Sequence, residues 1–586
     1  MQTPLLANDL KSSSYAALPA EPYEALQWLL TLPSSYPFID LKIQLEELIA
    51  VNASPYWSVA LAFLYTRIDQ HSLALEYYQS VLSQLDNDAT FHLMRGMAAR
   101  KLPNQQQIAE QAYKRAVELA PLRSDAHYNL GNLYREERPL DAESCYLTSL
   151  NLFPAQPMAW HNYGILLLHN MRLQEASHAL CISLRLDPQV AAVWCNFALT
   201  LFADRRIAEA KRSLYFAIKL DPLCLNCTTD DAISLWEQGA TLAKDTIDAL
   251  WDLALIFLAC GNYRSGWRYY EIRFSTKNFV PSEVPTAGPR LRNLAHAPRG
   301  SDPALVVWSE QGLGDAIQFG RYLPLLECAG IPFEFRCRKS LLSLFRDWFG
   351  LGNRAVLETH CTDPNDLRPH CSLMSLPYLF QSSINNLPCV TPYIKPPEAT
   401  PAHLHLPPPP GGISVGLVWA ANPKNKEMYR HKSIPLQLLM PRLFDLLELD
   451  LIDLHSLQFG DDQLQLEPWN HHERITDWSA KIHDFGDTAH IVRQLDLVIT
   501  VDTAVAHLAG ALNRPTWLLL PRNCDFRWLD NRKDSPWYPS SMQIFRQPNH
   551  GNWDAVLSLV HRAIDDLFLL DFDALLNARI TSLDHG

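Results

Sequence analysis

Four prolines recur in the first half of the chain at a nearly constant spacing. Pro121, Pro154, Pro188 and Pro222 are 33, 34 and 34 residues apart. An amphipathic segment with apolar residues at i, i+3 and i+4 precedes each proline, as in residues 175–186. Because proline cannot continue a helix, each one marks the end of a helical unit. A fixed period of this length predicts an all-α solenoid, in which each repeat packs against its neighbours.

A second pattern recurs with the same period in the first helix of each unit, where a small residue lets the paired helix approach closely. The matching segments are Tyr128-Asn129-Leu130-Gly131, Asn162-Tyr163-Gly164 and Asn196-Phe197-Ala198. Period and pattern together resemble the tetratricopeptide repeat (TPR) proteins. We therefore expect TPR units over residues 51–280, with weaker copies at 57–82 and 91–119 and another at 249–274. A helical segment over residues 1–50 precedes them.

Asn129, Asn162 and Asn196 occupy one helical position in consecutive repeats, and we assign Arg95 to the same place one repeat earlier. Stacking would set these side chains in a row on the concave surface. An amide can donate and accept a hydrogen bond at once, which suits an extended peptide. A similar asparagine ladder is known in the nucleocytoplasmic O-GlcNAc transferases. The alternative is that these asparagines only cap or solvate the helix surface.

Charge and apolar patterning exclude several classes of function. The net charge of −13 argues against a nucleic-acid partner, which needs a basic face. The longest apolar stretch, residues 495–520, contains Asp496, Asp502 and His507, so we expect no membrane span and a cytoplasmic protein. The twelve cysteines are too sparse for a disulfide framework. A metal site at Cys224 and Cys227 stays open, and packing is favoured for the His-Cys pairs at 360–361 and 370–371.

The second half alternates strands and helices after a linker at 281–300. Residues 305–308 predict a buried strand, and Gly312 and Gly314 a tight turn into a helix, with Asp315 at the mouth of a cleft. The turn lacks the third glycine of a dinucleotide-binding fingerprint, because Ile317 stands there. A second α/β unit begins with a strand at 413–419, after the proline run at 407–410.

Further strands are expected at 454–458, 497–501 and 516–520. The strand at 497–501 delivers Asp502, Thr503 and His507 at its carboxyl end, where open α/β sheets bind ligands. A helix that starts there offers backbone N–H groups and a positive dipole to a diphosphate. His507 would touch the ligand or pack against the sheet. Trp419, Asn422 and Gln458 are assigned either to ligand contacts or to packing, and the aromatic and basic segment 525–538 is assigned to the acceptor side of the site.

Residues 309–315 together with 502–507 resemble the bacterial TPR-fused glycosyltransferases related to the heptosyltransferase family. The resemblance covers about residues 300–550. It implies a GT-B fold, with one Rossmann-like domain at 281–400 on the acceptor side and a second at 401–586 that binds the nucleotide sugar. A closing helix at 553–569 would cross back to the first of these domains. We therefore expect an all-α solenoid followed by an α/β GT-B half.

The resemblance also implies roles. Asp315 would be the catalytic base, and the donor site would include Gly312, Gly314, Lys432, Asp502, Thr503, Ala504 and His507. Ala504 replaces the glycine of the family motif, which leaves the nucleotide open among CMP, ADP, GDP and UDP.

The implied activity is inverting transfer of a sugar to Ser or Thr of a protein such as flagellin, with no cofactor or metal. The D-x-D patterns at 86–88 and 571–573 are taken as chance. An inactive scaffold and a glycan-directed enzyme are the alternatives.

Overall fold

The computed structural model describes residues 18–19, 21–33, 38–51, 54–277, 279, 284–310, 312–358, 362–407, 412–424, 426–530 and 532–567. Parts of several predictions lie outside them: Gln311, the pair 360–361, prolines 408–410, residues 281–283 of the linker and residues 571–573. The chain divides into two compact units, Met1–Asp204 and Arg205–Gly586.

The first unit is built from helices joined mostly by short turns. Its helices are α1 Pro22–Thr31, α2 Phe38–Val51, α3 Pro55–Arg67, α4 His71–Ser80, α5 Leu82–Leu85, α6 Ala89–Arg100, α7 Gln106–Leu119, α8 Ser124–Tyr134, α9 Pro139–Leu152, α10 Pro157–His169, α11 Leu173–Leu186 and α12 Ala191–Ala203. Helices α7, α9 and α11 each end two residues before a periodic proline. The predicted repeat of paired helices, including the weaker copies, is confirmed here.

The small residues of the pattern lie where two helices of one repeat meet. A Cβ on Gly131 would come within 2.9 Å of the Tyr146 ring, and one on Gly96 within 2.5 Å of the Tyr113 ring. Gly96 is thus the equivalent of Gly131. This alignment corrects one assignment: Met94, two residues before Gly96, takes the place of Asn129, and Arg95 does not. The turn after α6 is one residue longer than the turn after α8 and two residues longer than the turns after α10 and α12, which shifts the register.

The second unit begins with four more helices, α13 Ile207–Lys219, α14 Thr229–Glu237, α15 Lys244–Ala259 and α16 Tyr263–Tyr270. The pair α15 and α16 confirms the repeat expected at 249–274. Helix α14 was not predicted. It is started by a capping box, in which Thr228 and Asp231 each bond the other's backbone N–H. Its insertion breaks the 34-residue period before α15.

A four-stranded parallel sheet follows, in the order β3-β2-β1-β4. Its strands are β1 Leu305–Trp308, β2 Phe333–Cys337, β3 Ala355–Leu357 and β4 His370–Ser372. The accompanying helices are α17 Leu313–Phe319, α18 Leu323–Cys328, α19 Lys339–Ser343 and α20 Leu376–Leu379. All four residues of β1 are buried, as expected for a parallel strand that is covered on both faces. The helix expected after β1 is present, but it starts at Leu313 and not near Ala316, so Gly314 and Asp315 lie in its first turn.

The last part is a six-stranded parallel sheet in the order β10-β9-β8-β5-β6-β7. Its strands are β5 Ile413–Val418, β6 Ile452–Ser456, β7 Ile475–Asp477, β8 Leu497–Val501, β9 Thr516–Leu520 and β10 Met542–Arg546. Its helices are α21 Lys426–Lys432, α22 Leu436–Glu448, α23 Phe485–Val492 and α24 Ala504–Ala511. Counted within this sheet, the order is 6-5-4-1-2-3, that of the doubly wound nucleotide-binding folds. The predicted strands at 497–501 and 516–520 are confirmed residue for residue.

A further helix spans residues 553–567. Its apolar residues Trp553, Val556 and Val560 join the core formed by α22 and one face of the six-stranded sheet. The expectation that this helix crosses back to the first sheet is therefore wrong for its described part. Its apolar face instead supplies a layer that the six-stranded sheet needs for its own core.

Candidate functional site

The site is centred on the neighbouring strands β5 and β8 of the six-stranded sheet. Strands β6 and β7 are added on one side of β5, and β8, β9 and β10 on its other side. The strand order therefore reverses between β5 and β8, and their carboxyl ends form the topological switch point where such sheets bind ligands. Lys432 lies in the connection after β5, and Asp502 directly follows β8. Lys432 Nζ is 2.5 Å from Asp502 Oδ2. The structure thus brings these two predicted residues together.

Lys432 and Asp502 form a largely buried ion pair, with side chains 13% and 7% exposed. Burial disfavours the charge on both groups, but each partner outweighs it: Lys432 lowers the pKa of Asp502, and Asp502 raises the pKa of Lys432. A carboxylate repels a phosphate, so Asp502 does not suit direct contact with a diphosphate. Its geometry instead fixes the ammonium group of Lys432 at the switch point.

Helix α24 starts immediately beside this pair. Thr503 is its N-cap residue and has extended backbone angles, but its hydroxyl makes no cap hydrogen bond and instead lies 3.1 Å from the Thr500 hydroxyl. Thr503 and Ala504 are partly exposed. The first N–H groups of a helix point out of its N-terminus. A diphosphate bound there would meet them together with Lys432.

Helix α17, which follows β1, lies against α24. A Cβ on Gly314 would be 2.8 Å from His507 Cδ2 and 3.4 Å from Ala504 Cα, so only glycine fits without a shift. The predicted Gly314 is therefore a packing position at which α17 approaches α24. Through this contact Asp315 lies close to the site on the other sheet, as the pairing of the two motifs predicted.

Asp315 is held by a residue from the segment after β9. Arg527 Nη2 donates to Asp315 Oδ1, and Arg527 Nη1 donates to Asp525 Oδ1 at 2.5 Å. Burial raises the pKa of Asp315; Arg527 opposes this rise, and the carboxylate of Asp525 adds to it. Sequence reasoning assigned residues 525–538 only to the acceptor side. It missed this pair because its members are 212 positions apart.

His507 is buried and is 4% exposed. Its ring stacks on Trp528 with centroids 5.0 Å apart, and Nδ1 lies 3.0 Å from the Tyr538 hydroxyl. Burial lowers the pKa of His507 to about 3, so the ring is neutral near pH 7. Of its two predicted roles, the geometry favours packing between α24 and the segment after β9.

The three remaining donor-site candidates have structural roles: Trp419 in the core, Gln458 in hydrogen bonds to the backbone and Asn422 in an exposed turn. Trp419 is fully buried in the core under the six-stranded sheet. Gln458 Oε1 accepts from the backbone N–H groups of Trp419 and Ala420, at 3.1 and 2.9 Å. Asn422 is exposed, and its Oδ1 accepts from the N–H of Lys424 at 3.0 Å. Gln458 therefore fixes the start of the loop that leads to Lys432, while Asn422 shapes a turn in that loop.

Sequence reasoning also missed a buried network of hydrogen bonds that holds Glu310, in the loop after β1. Arg273, in the 3₁₀ helix Glu271–Ser275, is 5% exposed and donates to Glu310 Oε1 at 2.7 Å and to Glu271 Oε1 at 2.7 Å. Ser372, at the end of β4, also donates to Glu310. Because β1 and β4 are neighbours, this network ties the carboxyl ends of both strands to the end of the last repeat.

The asparagine row in the first unit is partly engaged with the solenoid itself. Asn162 Nδ2 donates to Asn132 Oδ1 at 2.7 Å, and Asn196 Nδ2 donates to His161 Nε2 at 2.9 Å, in each case on the preceding repeat. Asn129 Nδ2 bonds the carbonyl of Asp125 in its own helix. Two of these amides therefore connect neighbouring repeats, and the third bonds within its own helix. Among the described residues no hydrogen bond to the three Oδ1 atoms is found, so they remain acceptors, and peptide binding stays a prediction.

The open metal candidates have ordinary structural partners. Cys227 Sγ donates to the carbonyl of Leu223, and Cys224 is buried. His370 and Cys371 are buried in β4, as the packing interpretation expected. Asp88 caps helix α6. Within the described ranges, no group of three or more metal-ligating side chains is found, and no helix has the length and apolar character to cross a bilayer.

Comparison with known proteins adds a relative and several solved structures. No family model matches the chain. Protein FlbA of Caulobacter vibrioides is 28% identical over 346 residues, covering 53% of this chain and 54% of FlbA, so the chain spans about half the length of that relative. YrrB, described as a TPR protein with an unusual peptide-binding site, is 20% identical and matches 30% of this chain and 92% of its own, with a TM-score of 0.26. PilW, described as a widely conserved type IV pilus biogenesis factor, is 18% identical and matches 39% and 96%, with a TM-score of 0.31. The relative is bacterial, and this chain's first unit consists of paired helices that repeat with a period of about 34 residues.

Proposed function

We propose that the chain is an inverting glycosyltransferase that moves a sugar from a nucleotide sugar to a Ser or Thr hydroxyl of a protein held by the repeats. The observation that carries the proposal is the meeting of two strand-end loops. Lys432 and the start of α24 lie at the switch point of the six-stranded sheet, and the Gly314 contact brings Asp315 beside them. A cationic phosphate site next to a carboxylate suits transfer from a nucleotide diphosphate or monophosphate.

The two parallel sheets support a GT-B arrangement for this reaction. Both have their first and fourth strands as neighbours, and both carry polar or charged residues at the carboxyl ends of those strands or in the connections that follow them. In the four-stranded sheet these are Asp315, in α17 after β1, and Ser372, the last residue of β4. In the six-stranded sheet they are Lys432, at the end of α21, and Asp502, directly after β8. A donor on one loop pair and an acceptor on the other would meet between them.

The chemistry follows from this arrangement. Asp315 takes the proton of the acceptor hydroxyl while its oxygen attacks the anomeric carbon. The bond from that carbon to the phosphate oxygen breaks, and the nucleotide leaves with the electron pair from the opposite face. Lys432 and the N–H groups at the start of α24 stabilise the negative charge that develops on the leaving phosphate.

A polypeptide acceptor is supported by the solenoid. Stacked repeats form an extended concave surface, which suits an extended segment of chain. The amide oxygens of Asn129, Asn162 and Asn196 can accept from peptide N–H groups, although their own N–H groups are engaged within the repeats. A flagellin is the acceptor class that we propose to test first.

The test is mass spectrometry of a flagellin after incubation with the full chain and a panel of CMP-, ADP-, GDP- and UDP-sugars. We expect a mass increase of one sugar residue with the wild-type chain and none with Asp315→Ala. If Asp315→Ala modifies the flagellin as fast as the wild type, Asp315 is not the base. If no member of the panel yields a product, the proposed transfer to this acceptor class is rejected.

A further inference from the structure

The segment after β9 places a buried guanidinium against the proposed base. Arg527 is 7% exposed and lies in the 3₁₀ turn Phe526–Trp528. It joins two carboxylates, Asp315 in the first turn of α17 and Asp525 from its own segment. The row Asp525, Arg527 and Asp315 therefore connects the two sheets of this unit at the site.

Aromatic rings fix the direction of this guanidinium. Its central carbon lies 4.4 Å from the ring centre of Phe526 and 5.8 Å from that of Phe319. Phe526 in turn packs edge-on against Trp267 and Tyr270 of helix α16, with centroids 5.8 and 6.0 Å apart. A planar cation between rings and two carboxylates has little freedom to turn. The last repeat helix thus braces Arg527 through Phe526.

The two oxygens of Asp315 have different surroundings. Oδ1 accepts from Arg527, whereas Oδ2 occupies the space that a side chain at position 312 would need. Gly312 is therefore required by the position of the carboxylate. With Oδ1 engaged and Oδ2 lying over a residue without a side chain, Oδ2 is the atom that an acceptor hydroxyl can approach.

The ionisation of Asp315 depends on a balance of opposed charges. Burial favours the neutral acid, and three carboxylates add to this effect, while Arg527 is the cation that opposes it. Besides Arg527 itself, the charged and titratable groups around Asp315 are these: Asp525, Glu310, Asp502, Lys432, His507, Tyr263 and Tyr270. Of all these groups, Arg527 is the one cation that contacts the Asp315 carboxylate directly.

We propose that Arg527 is a positioning residue, which holds Oδ1 of Asp315 and leaves Oδ2 to accept the proton of the attacking hydroxyl. The inference rests on the proposed transferase function. In the step itself the acceptor O–H bond breaks, its proton goes to Oδ2 and its oxygen bonds the anomeric carbon. The nucleotide leaves with the electrons of the broken bond, and the proton is later lost from Asp315 to water.

The first test is the pH dependence of nucleotide release from the sugar of the CMP, ADP, GDP and UDP panel that the full chain hydrolyses fastest. Loss of the cation in Arg527→Gln should raise the acid-side midpoint of turnover by about one to three pH units. Arg527→Lys keeps the charge and should leave that midpoint within about half a unit. It should still lower turnover, because a lysine cannot bond both carboxylates as a planar fork does.

Arg532→Gln is the matched control in the same segment. Arg532 is half-exposed and pairs with Asp534, so its loss should leave the midpoint unchanged. A midpoint for Arg527→Gln equal to that of the control overturns the proposal, since Arg527 would then not act through Asp315. A merely structural role would lower turnover at every pH and would not move the midpoint.

A second measurement needs no activity and separates this inference from the proposed function. In urea unfolding, Arg527→Gln should lower the midpoint concentration less in an Asp315→Asn background than in the wild type, because only Asp525, and no longer Asp315 as well, is then left without its cation. If the two substitutions are non-additive but the chain hydrolyses none of the nucleotide sugars, the Arg527–Asp315 pair is supported and the proposed transferase function is rejected. Additive effects would reject the positioning role, even in an active enzyme.

Discussion

Two ion pairs at the site are built alike, yet their carboxylates are shifted in opposite directions. In the Lys432–Asp502 pair the cation outweighs burial and lowers the pKa of Asp502. In the Arg527–Asp315 pair burial and neighbouring carboxylates outweigh the cation and raise the pKa of Asp315. The first pair has one carboxylate for its cation, whereas Arg527 is shared with Asp525. Asp502 is thus suited to hold a lysine in place, and Asp315 to exchange a proton.

The largest expected effect separates the two carboxylates by activity. Asp315→Asn removes the proposed base and should lower nucleotide-sugar turnover by about 10³-fold, within the range for general base catalysis. Its free energy of unfolding at pH 7 should change little, because the lost ion pair is offset by removal of a charge that burial disfavours. Stopped assays of nucleotide release and urea unfolding check both parts. A variant that is unfolded, or that keeps more than a tenth of the activity, contradicts this assignment.

The Lys432–Asp502 pair is tested by removing its lysine. Lys432→Ala leaves Asp502 buried without its partner and should lower the free energy of unfolding by about 3 kcal/mol. Lys424→Ala, at an exposed position of the same loop, is the control and should change it by less than about 0.5 kcal/mol. Urea unfolding of both variants measures the difference. Equal stabilities would mean that the Lys432–Asp502 pair contributes nothing.

The contact that brings the two pairs together is tested at Gly314. Gly314→Ala places a methyl group 2.8 Å from His507 Cδ2 and should cost about 2 kcal/mol, as overpacking does. Because the clash is with the imidazole, His507→Ala should reduce the additional cost of the methyl group. A double-mutant cycle in urea measures this coupling. Additive effects would show that α17 and α24 do not meet at these residues.

A smaller expected effect is a difference in how the two carboxylates change stability with pH. The lowered pKa of Asp502 contributes stability above the unfolded value of about 3.9, which is lost as the pH falls through the folded pKa. The raised pKa of Asp315 contributes stability below about 3.9, which is lost as the pH rises through its folded pKa. Relative to the wild type, Asp502→Asn and Asp315→Asn should therefore differ in the sign of their pH slope, by at most about 1.4 kcal/mol per pH unit for each group. Slopes of the same sign would contradict the two assignments.

The parts of the fold that sequence predicted are those determined locally. The periodic prolines end helices through their own geometry, and the strands at 497–501 and 516–520 are apolar runs bounded by polar or proline residues. The missed parts depend on residues far apart in sequence. The Arg527–Asp315 pair forms only after both sheets fold, and Asp502 is seen to hold Lys432 only once β5 and β8 are neighbours.

Register errors had a similar cause. Arg95 was assigned by a spacing of 34 residues, but the turn after α6 is one residue longer than that after α8, and the alignment of the helices places Met94 there. The closing helix was assigned by resemblance, whereas its apolar face is used by the core of the six-stranded sheet. His507 fitted either a ligand or a packing role in sequence, and only the stacked Trp528 distinguishes them.

The central claim, a nucleotide-sugar site at the switch point with Lys432 as its phosphate ligand, is tested most directly by thermal unfolding with CMP, ADP, GDP and UDP. Since a ligand that binds only the folded state stabilises it, one nucleotide should raise the Tm of the full chain by several degrees. The same nucleotide should leave the Tm of Lys432→Ala unchanged. No rise with any of the four nucleotides, or an equal rise in both proteins, would contradict the claim.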